Sequence, residues 1–261
     1  MNASSNLSAV GPVAGQAVTL HARASAEFPA RLEQARSLLR RAAAIGLGAD
    51  GAPLVVQASS LGAEDMVISH LIDRLELDID VFVLDTGMLH PPTVQLLERF
   101  QAQSRAKVRV YKPVEETVVE FVQAQGTGAM YRSIALRKSC CQIRKMEPLQ
   151  RALAGRAAWI TGLRREQSGA RADVPLIDTT DSARAKFNPL ADWSWGDVWH
   201  YIDVHQVAYN PLHDAFYPSI GCAPCTRAIS MGEDFRAGRW WWEDESAKEC
   251  GLHVNVEETP A

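Results

Sequence analysis

Across residues 28–45, Leu32, Ala35, Leu38, Leu39, Ala42 and Ile45 recur at three- and four-residue intervals, and Gly46 follows as a natural stop. This predicts an amphipathic surface helix. Residues 54–58 then form a short continuous apolar run, Leu54-Val55-Val56-Gln57-Ala58, of the kind a strand buried on both faces requires. A Ser/Gly-rich turn at 59–65 leads into a helical pattern ending near Leu75. The same unit recurs: a strand at 80–84, the turn Asp85-Thr86-Gly87-Met88-Leu89-His90, and a helix to about residue 104. Further strands are expected at 108–111 and 158–161, with helical segments between them.

Strands alternating with helices predict an α/β fold with a doubly wound, mostly parallel sheet, whose ligands bind at the carboxyl ends of the strands. The turns at 59–65, 85–90 and 162–168 all fall at such ends. Farther on, Trp195, Val198, Trp199 and Ile202 share one helical face and are read as core. Residues 1–25 show no periodicity and are read as a mobile arm, 26–235 as a single α/β domain, and 236–261 as a C-terminal tail.

Composition narrows the function classes. With 47% hydrophobic and 22% charged residues, the 261-residue chain reads as an ordinary globular protein, and a net charge of −4 offers no global attraction for nucleic acid or a membrane surface. No run reaches the roughly 20 apolar residues of a membrane span. No secretory pattern opens the chain, so a cytoplasmic, reducing location is expected. There, paired cysteines are more often metal ligands or redox groups than disulfides. Any anion site must come from local clusters of Arg and Lys.

The five cysteines divide into four and one. Cys140-Cys141 lie between Arg137, Lys138, Arg144 and Lys145; Cys222-x-x-Cys225 forms a two-ligand loop; Cys250 stands alone. Adjacent ligands are unusual in a structural zinc site, whereas an iron–sulfur cube offers separate irons, so the spacing favours a [4Fe–4S] cluster over zinc. Cys250 has no partner at ligand spacing. Lys248, His253, Arg236 and Arg239 in its vicinity would lower its thiol pKa and raise its nucleophilicity.

Nucleotide contacts are expected at the strand ends. The first turn offers Ser60, Gly62 and Asp65 at a helix N-terminus. The second offers Asp85, Thr86 and Gly87, and Arg164, Arg165 and Arg171 supply forked donors for phosphate or sulfate oxygens. In Ser60-Leu61-Gly62-Ala63-Glu64-Asp65, Leu61 stands where pyrophosphate-binding loops of this type carry glycine. Its bulk is expected to hinder a pyrophosphate and to favour a ligand without β- and γ-phosphates.

Taken together, Cys140-Cys141, Arg144-Lys145-x-x-Pro148-Leu149, Gly221-Cys222-x-Pro224-Cys225-Thr226 and Glu249-Cys250-Gly251-Leu252-His253 resemble the assimilatory adenylyl-sulfate (adenosine 5'-phosphosulfate, APS) reductases, within the larger PAPS/APS reductase family. The resemblance runs from about residue 59 to residue 253. It implies a sheet of the adenine nucleotide alpha-hydrolase-like type and a [4Fe–4S] cluster on the four paired cysteines. It further implies reduction of APS to sulfite and AMP, in sulfate assimilation and cysteine biosynthesis, through an S-sulfocysteine at Cys250. Lys145, Arg236, Arg239 and His253 would neutralise the phosphosulfate, and thioredoxin or a similar dithiol protein would supply the electrons.

Three other readings stay open at this stage. These are the same reaction on 3'-phosphoadenosine 5'-phosphosulfate, an ATP-dependent tRNA sulfur-transferase, and a zinc-stabilised binding module. The sequence leaves the oligomeric state open, a homo-oligomer included.

Overall fold

A computed structural model describes residues 15–244. Its centre is a six-stranded sheet in the order β3-β2-β1-β4-β6-β5, built from β1 (Val55–Ser59), β2 (Asp80–Leu84), β3 (Val108–Tyr111), β4 (Ala158–Ile160), β5 (Ile177–Asp178) and β6 (Ala185–Phe187). All neighbours run parallel except β5, which pairs antiparallel with β6 at the edge. The first four strands lie where their apolar runs predict. β5 and β6 are too short to leave a recognisable pattern, and β6 is held by its register on β4, with Phe187 opposite Ile160.

Both faces of the sheet are covered, which explains the continuous apolar strands. Val55, Val81, Val83 and Ile160 face a layer that includes α2 (Phe28–Ala43), α3 (Ala63–Arg74), α4 (Pro91–Gln103) and α8 (Trp195–His205). Their alternating neighbours Val56, Phe82 and Trp159 face Leu149, Ala152 and Leu153 of α7 (Glu147–Leu153). Trp199 is fully buried in the first layer, in keeping with a core role for the tryptophans of α8. Two further helices, α5 (Glu115–Gln125) and α6 (Ile134–Cys141), lie between β3 and α7, and a π-helical turn at Gln142–Met146 joins α6 to α7.

The expectation of a mobile arm through residue 25 does not hold for the described part of that segment. Residues Gln16–His21 form α1, which buries Ala17 and Val18 against the core, while the Ala17 N–H donates to Asp214 at 2.8 Å. A helix of six residues is too short to display a period. The boundary at 235/236 also moves: Arg236, Arg239 and Trp240 are buried, and the Arg227 N–H donates to the Gly238 carbonyl, so 236–244 is part of the domain body. The remainder of the expected tail lies outside the described residues.

One buried carboxylate fastens the N-terminal segment to this body. Asp197 forms a capping box at the start of α8, accepting from the Ser194 N–H at 3.0 Å while Ser194 Oγ accepts from the Asp197 N–H. It also accepts from the Ser25 N–H at 2.7 Å and from Arg31 Nη1 at 2.8 Å. Burial alone would push its carboxyl up, but the donors from Ser25, Ser194 and Arg31 outweigh that and hold it below the usual carboxylate range. Its contribution is therefore present above the ordinary aspartate pKa and is lost as pH falls through the depressed one. Asp197→Ala should lower unfolding free energy by about 3 kcal/mol at neutral pH, and by less as the pH is lowered below 4. Urea denaturation of both proteins across that range measures the difference.

Candidate active site

The carboxyl ends of β1, β2 and β4 open into a cleft of about 210 Å3. Three loops form its floor, contributing Ser60 and Gly62 after β1, Thr86 after β2, and Thr161, Gly162 and Leu163 after β4. Its far wall comes from Arg171, His213, residues 218–222 and Phe235, Arg236 and Arg239. Of the residues expected to contact nucleotide, Ser60, Gly62, Asp65, Thr86, Arg171, Arg236 and Arg239 line this cleft, as does Lys145. Phe82, Leu84, Leu149 and Trp159 supply an apolar part, suited to a base or ribose face.

Asp85, Gly87, Arg164 and Arg165 are placed elsewhere. Asp85 accepts from the Gly87 N–H at 3.0 Å and pairs with Lys112 at 3.6 Å, so it shapes the turn. Arg164 is fully buried with its Nε on Glu64 at 2.9 Å and Nη1 on Glu166 at 2.8 Å, and its guanidinium lies 5.2 Å from the Trp195 ring centre. Arg165 donates to Asp192 and to the Val174 carbonyl. Two of the three arginines in this run are thus structural partners of acids. Sequence could not separate them, because the acids they meet come from other elements.

The first loop is arranged differently from expectation. Leu61 adopts φ 62° and buries its side chain in the core rather than lining the cleft, so its bulk does not stand in the path of a ligand. Asp65 closes the loop instead. Its Oδ2 accepts from the Ser60 N–H at 2.7 Å and from Ser60 Oγ at 2.6 Å, using donors that a phosphate would otherwise take. Gly162 must lack a side chain, since a Cβ there would lie 2.4 Å from Asp65 Oδ1. Burial pushes the Asp65 carboxyl up to about 6, against the pull of the Ser60 hydrogen bonds.

Glu64, which also lines the cleft, accepts from Gln167 Nε2 at 2.9 Å as well as from Arg164. The Gln167 amide oxygen in turn accepts from Arg171 Nη1 at 2.6 Å. His213 packs against Trp195 and Trp199, and its Nε2 accepts from the Ala63 N–H at 3.2 Å, capping α3 from outside. That contact requires a neutral ring, and burial lowers its pKa to about 4. Glu64, Gln167 and His213 had no signal of their own in the sequence.

A second, smaller cavity adjoins the cleft, lined by Met88, Met130, Arg137, Cys140, Cys141, Arg144, Lys145, Cys222 and Cys225. The two spaces share Lys145 and Cys222. None of the four cysteines is in a disulfide. Among the described residues, no three His, Cys, Asp or Glu side chains converge closely enough to hold a single metal ion. The π-helical turn begins directly after Cys141. Its wider i→i+5 turn accompanies an arrangement in which Arg144 Nη1 reaches the Thr86 carbonyl at 2.7 Å while the next residue, Lys145, lines both cavities. Thr86 Oγ1 lies 3.3 Å from Cys222 Sγ, and the Ala223 N–H donates to the Met88 carbonyl at 2.7 Å, so the turn after β2 and the 222–225 loop are joined. Burial, reinforced by Cys222 and Cys141, pushes the Cys225 thiol up to about 12, and burial also raises that of Cys140.

Residues 54–228 match the model of the phosphoadenosine phosphosulfate reductase domain. The adenosine 5'-phosphosulfate reductase of Allochromatium vinosum is 52% identical over 76% of this chain and 78% of its own length. This chain belongs to the phosphoadenosine phosphosulfate reductase family. The adenosine 5'-phosphosulfate reductases of Burkholderia cepacia and of Neisseria meningitidis serogroup A are 51% and 50% identical, over 76% and 75% of this chain and 80% and 81% of theirs. The phosphoadenylyl-sulfate reductase of Candida auris, solved as a phosphate complex, superimposes with a TM-score of 0.60 at 27% identity, covering 77% of this chain and 97% of that one. An NH3-dependent NAD synthetase from Campylobacter jejuni, at 11% identity and a TM-score of 0.50 over 72% of this chain and 78% of its own, shares the fold. In this reductase the expected nucleophile Cys250 and its neighbour His253 lie outside the described residues.

The buried loop acid gives a measurable pH dependence. Because its folded pKa is raised, Asp65 favours the native state below the ordinary aspartate pKa, and that contribution is lost as pH rises from about 4 to about 6. The stability difference between wild type and Asp65→Asn should therefore shift in favour of the variant across this window, by no more than about 3 kcal/mol, and stay level above it. Chemical denaturation at half-unit pH steps provides the test.

Proposed function

We propose that this chain reduces adenosine 5'-phosphosulfate to sulfite and AMP, with Cys250 as nucleophile and a thioredoxin-type dithiol protein as electron donor. The observation that carries this reading is the shared wall: Lys145 and Cys222 border both the strand-end cleft and the four-cysteine cavity. An anion bound beside Lys145 lies against the cysteine site. The relatives of about 50% identity are adenosine 5'-phosphosulfate reductases, which supports the same substrate here.

The Cys250 thiolate attacks the sulfur of the bound phosphosulfate. The bond between that sulfur and the bridging oxygen breaks, and AMP leaves with the electron pair. Lys145, Arg171, Arg236 and Arg239 line the cleft and supply positive charge for the phosphosulfate and the departing phosphate. Arg239 is already oriented: its Nη1 donates to the Ile220 carbonyl at 3.2 Å. The S-sulfocysteine at residue 250 is then attacked at its cysteine sulfur by one thiol of the donor, which expels sulfite, and the second donor thiol resolves the mixed disulfide. The dithiol is oxidised by two electrons and the sulfur is reduced by two. His253 lies three residues past the nucleophile and serves as an additional cation near the leaving phosphate.

The four paired cysteines suit a [4Fe–4S] cluster. All four line one small cavity. Two of the thiols have raised pKa values, so together they call for a strongly positive centre to ionise them. Trp240 Nε1, a buried donor packed in the same cluster of side chains, has no partner among the described residues, and a sulfur acceptor would satisfy it. Cys140, Cys141, Cys222 and Cys225 would hold the group. When bound, it supplies charge compensation and a crosslink between α6 and the 222–225 loop, with no change of oxidation state required.

Donors of the first loop taken up by Asp65 support a ligand without β- and γ-phosphates over ATP, and hence a reductase over an ATP-dependent sulfur-transferase. No helix among the described residues is long and apolar enough to cross a membrane, which is consistent with the reducing, cytoplasmic setting such chemistry needs.

With reduced thioredoxin, sulfite release from the 5'-phosphosulfate should exceed that from its 3'-phosphorylated form, and Cys250→Ser should abolish both sulfite and AMP formation. Equal turnover of the two nucleotides would remove the substrate assignment; a sulfonate adduct trapped on another residue would remove the mechanism. Cys140→Ser should emerge from anaerobic purification colourless and free of inorganic sulfide, and a brown, fully active variant would refute that ligand assignment.

A further inference from the structure

Arg137 stands where three elements cross. It lies on α6 one turn before Cys141, so the two side chains share a helix face, and its guanidinium donates to the Cys141 sulfur. Its side chain is only 1% exposed. Nε and Nη2 form a fork onto Glu243, at 3.0 Å to Oε1 and 2.7 Å to Oε2, and the Glu243 side chain is 2% exposed. The same guanidinium lies 4.6 Å from the Trp240 ring centre, while the Glu243 N–H donates to the Trp240 carbonyl at 2.8 Å.

An ion pair this buried is a poor choice for stability alone, since an apolar pair of similar size would hold the two segments about as firmly. Its distinguishing property is geometric: a bidentate fork admits one register and one orientation. The register being fixed is that of Glu243, seven positions before Cys250 in the sequence. The element it is fixed to is the helix that carries Cys140 and Cys141.

We propose that the Arg137–Glu243 ion pair is a positioning device that ties the root of the C-terminal segment to the cysteine-bearing helix and thereby governs the rate at which Cys250 reacts. This rests on the reading of Cys250 as the nucleophile. Neither residue lines the nucleotide cleft, and Glu243 lines neither cavity; Arg137 also lines the cysteine cavity, so cluster content is measured beside the reaction rate. The same pair makes the attachment of the C-terminal segment depend on the cysteine site, because displacing Cys141 disturbs a contact of Arg137.

The test uses the full chain, anaerobically purified, as wild type, Glu243→Gln and Arg137→Lys. Iron and sulfide content, APS affinity in a Cys250→Ser background, single-turnover formation of the S-sulfonate and limited proteolysis beyond residue 244 are measured on each. Glu243→Gln should keep its cluster content and bind APS within about twofold of the parent, yet form the adduct at least about tenfold more slowly, the signature of lost positioning rather than lost binding. Cleavage beyond residue 244 should be faster. Arg137→Lys, which keeps a cation but not the fork, should fall between the two and decides the matter should Glu243→Gln fail to fold.

Adduct formation at the wild-type rate, or a parallel fall in APS affinity and cluster content, would overturn the proposal. An adduct at a residue other than 250 in the wild type would instead overturn the nucleophile assignment. In that case accelerated cleavage in the variants still supports the attachment, and unchanged cleavage counts against it.

Discussion

Four thiols from two distant segments surround one small space, and that convergence constrains everything near it. Thiols in a buried setting resist ionisation, and burial raises the pKa values of Cys140 and Cys225. The segments that bring them together are correspondingly over-determined. Thr86 reaches Cys222, Arg144 reaches the Thr86 carbonyl, Ala223 bonds to Met88, and the Trp240 N–H donates to the Cys225 carbonyl. Each of these contacts also fixes a wall of the nucleotide cleft or its approach. The cleft and the cysteine cavity are therefore one construction, and a change in either is transmitted through Lys145 and Cys222, which belong to both.

The acidic residues of the cleft show how a strand-end site for an anion can contain carboxylates. Glu64 neutralises Arg164 and orients Gln167, which in turn holds Arg171. Asp65 binds the loop donors of Ser60. Both acids sit in the first turn of α3, where the helix dipole favours negative charge. Asp65 does for this loop what a terminal phosphate does in a pyrophosphate-binding loop, so the Ser60 donors are taken before any ligand arrives.

Much of this was legible in the sequence, for identifiable reasons. Strands buried on both faces write themselves as apolar runs, so β1 to β4 and the strand-end position of the cleft could be read directly. The cysteine pairs stood out by their spacing, and the structure brings all four to one cavity. What could not be read were contacts between elements: that Arg164 would meet Glu64, that Leu61 would turn into the core and leave the loop to Asp65, or that His213 would cap α3 from far along the chain. The short elements α1, β5 and β6 escaped for a related reason. Their stability comes from what they pack on, and a few residues are too few to show a period.

The placing of the basic residues follows from the same division of roles. A cation that must hold a transferring anion gains most when it is fixed beforehand, because little reorganisation then accompanies charge development. Arg239 meets this condition through the Ile220 carbonyl, Ser219 Oγ and Trp240, and through Gly221, where a Cβ would lie only 2.5 Å from the guanidinium. Glycine at 221 thus lets the guanidinium lie directly against the backbone, and a side chain there would displace it. Arg137, equally buried, meets a carboxylate rather than the cleft, so its rigidity passes to the chain leading toward residue 250 instead of to the ligand. The two arginines flank the same indole at similar distances, 4.6 Å and 4.7 Å. Trp240 therefore makes the orientation of the cleft cation and that of the chain root interdependent, so the two cannot be tuned separately.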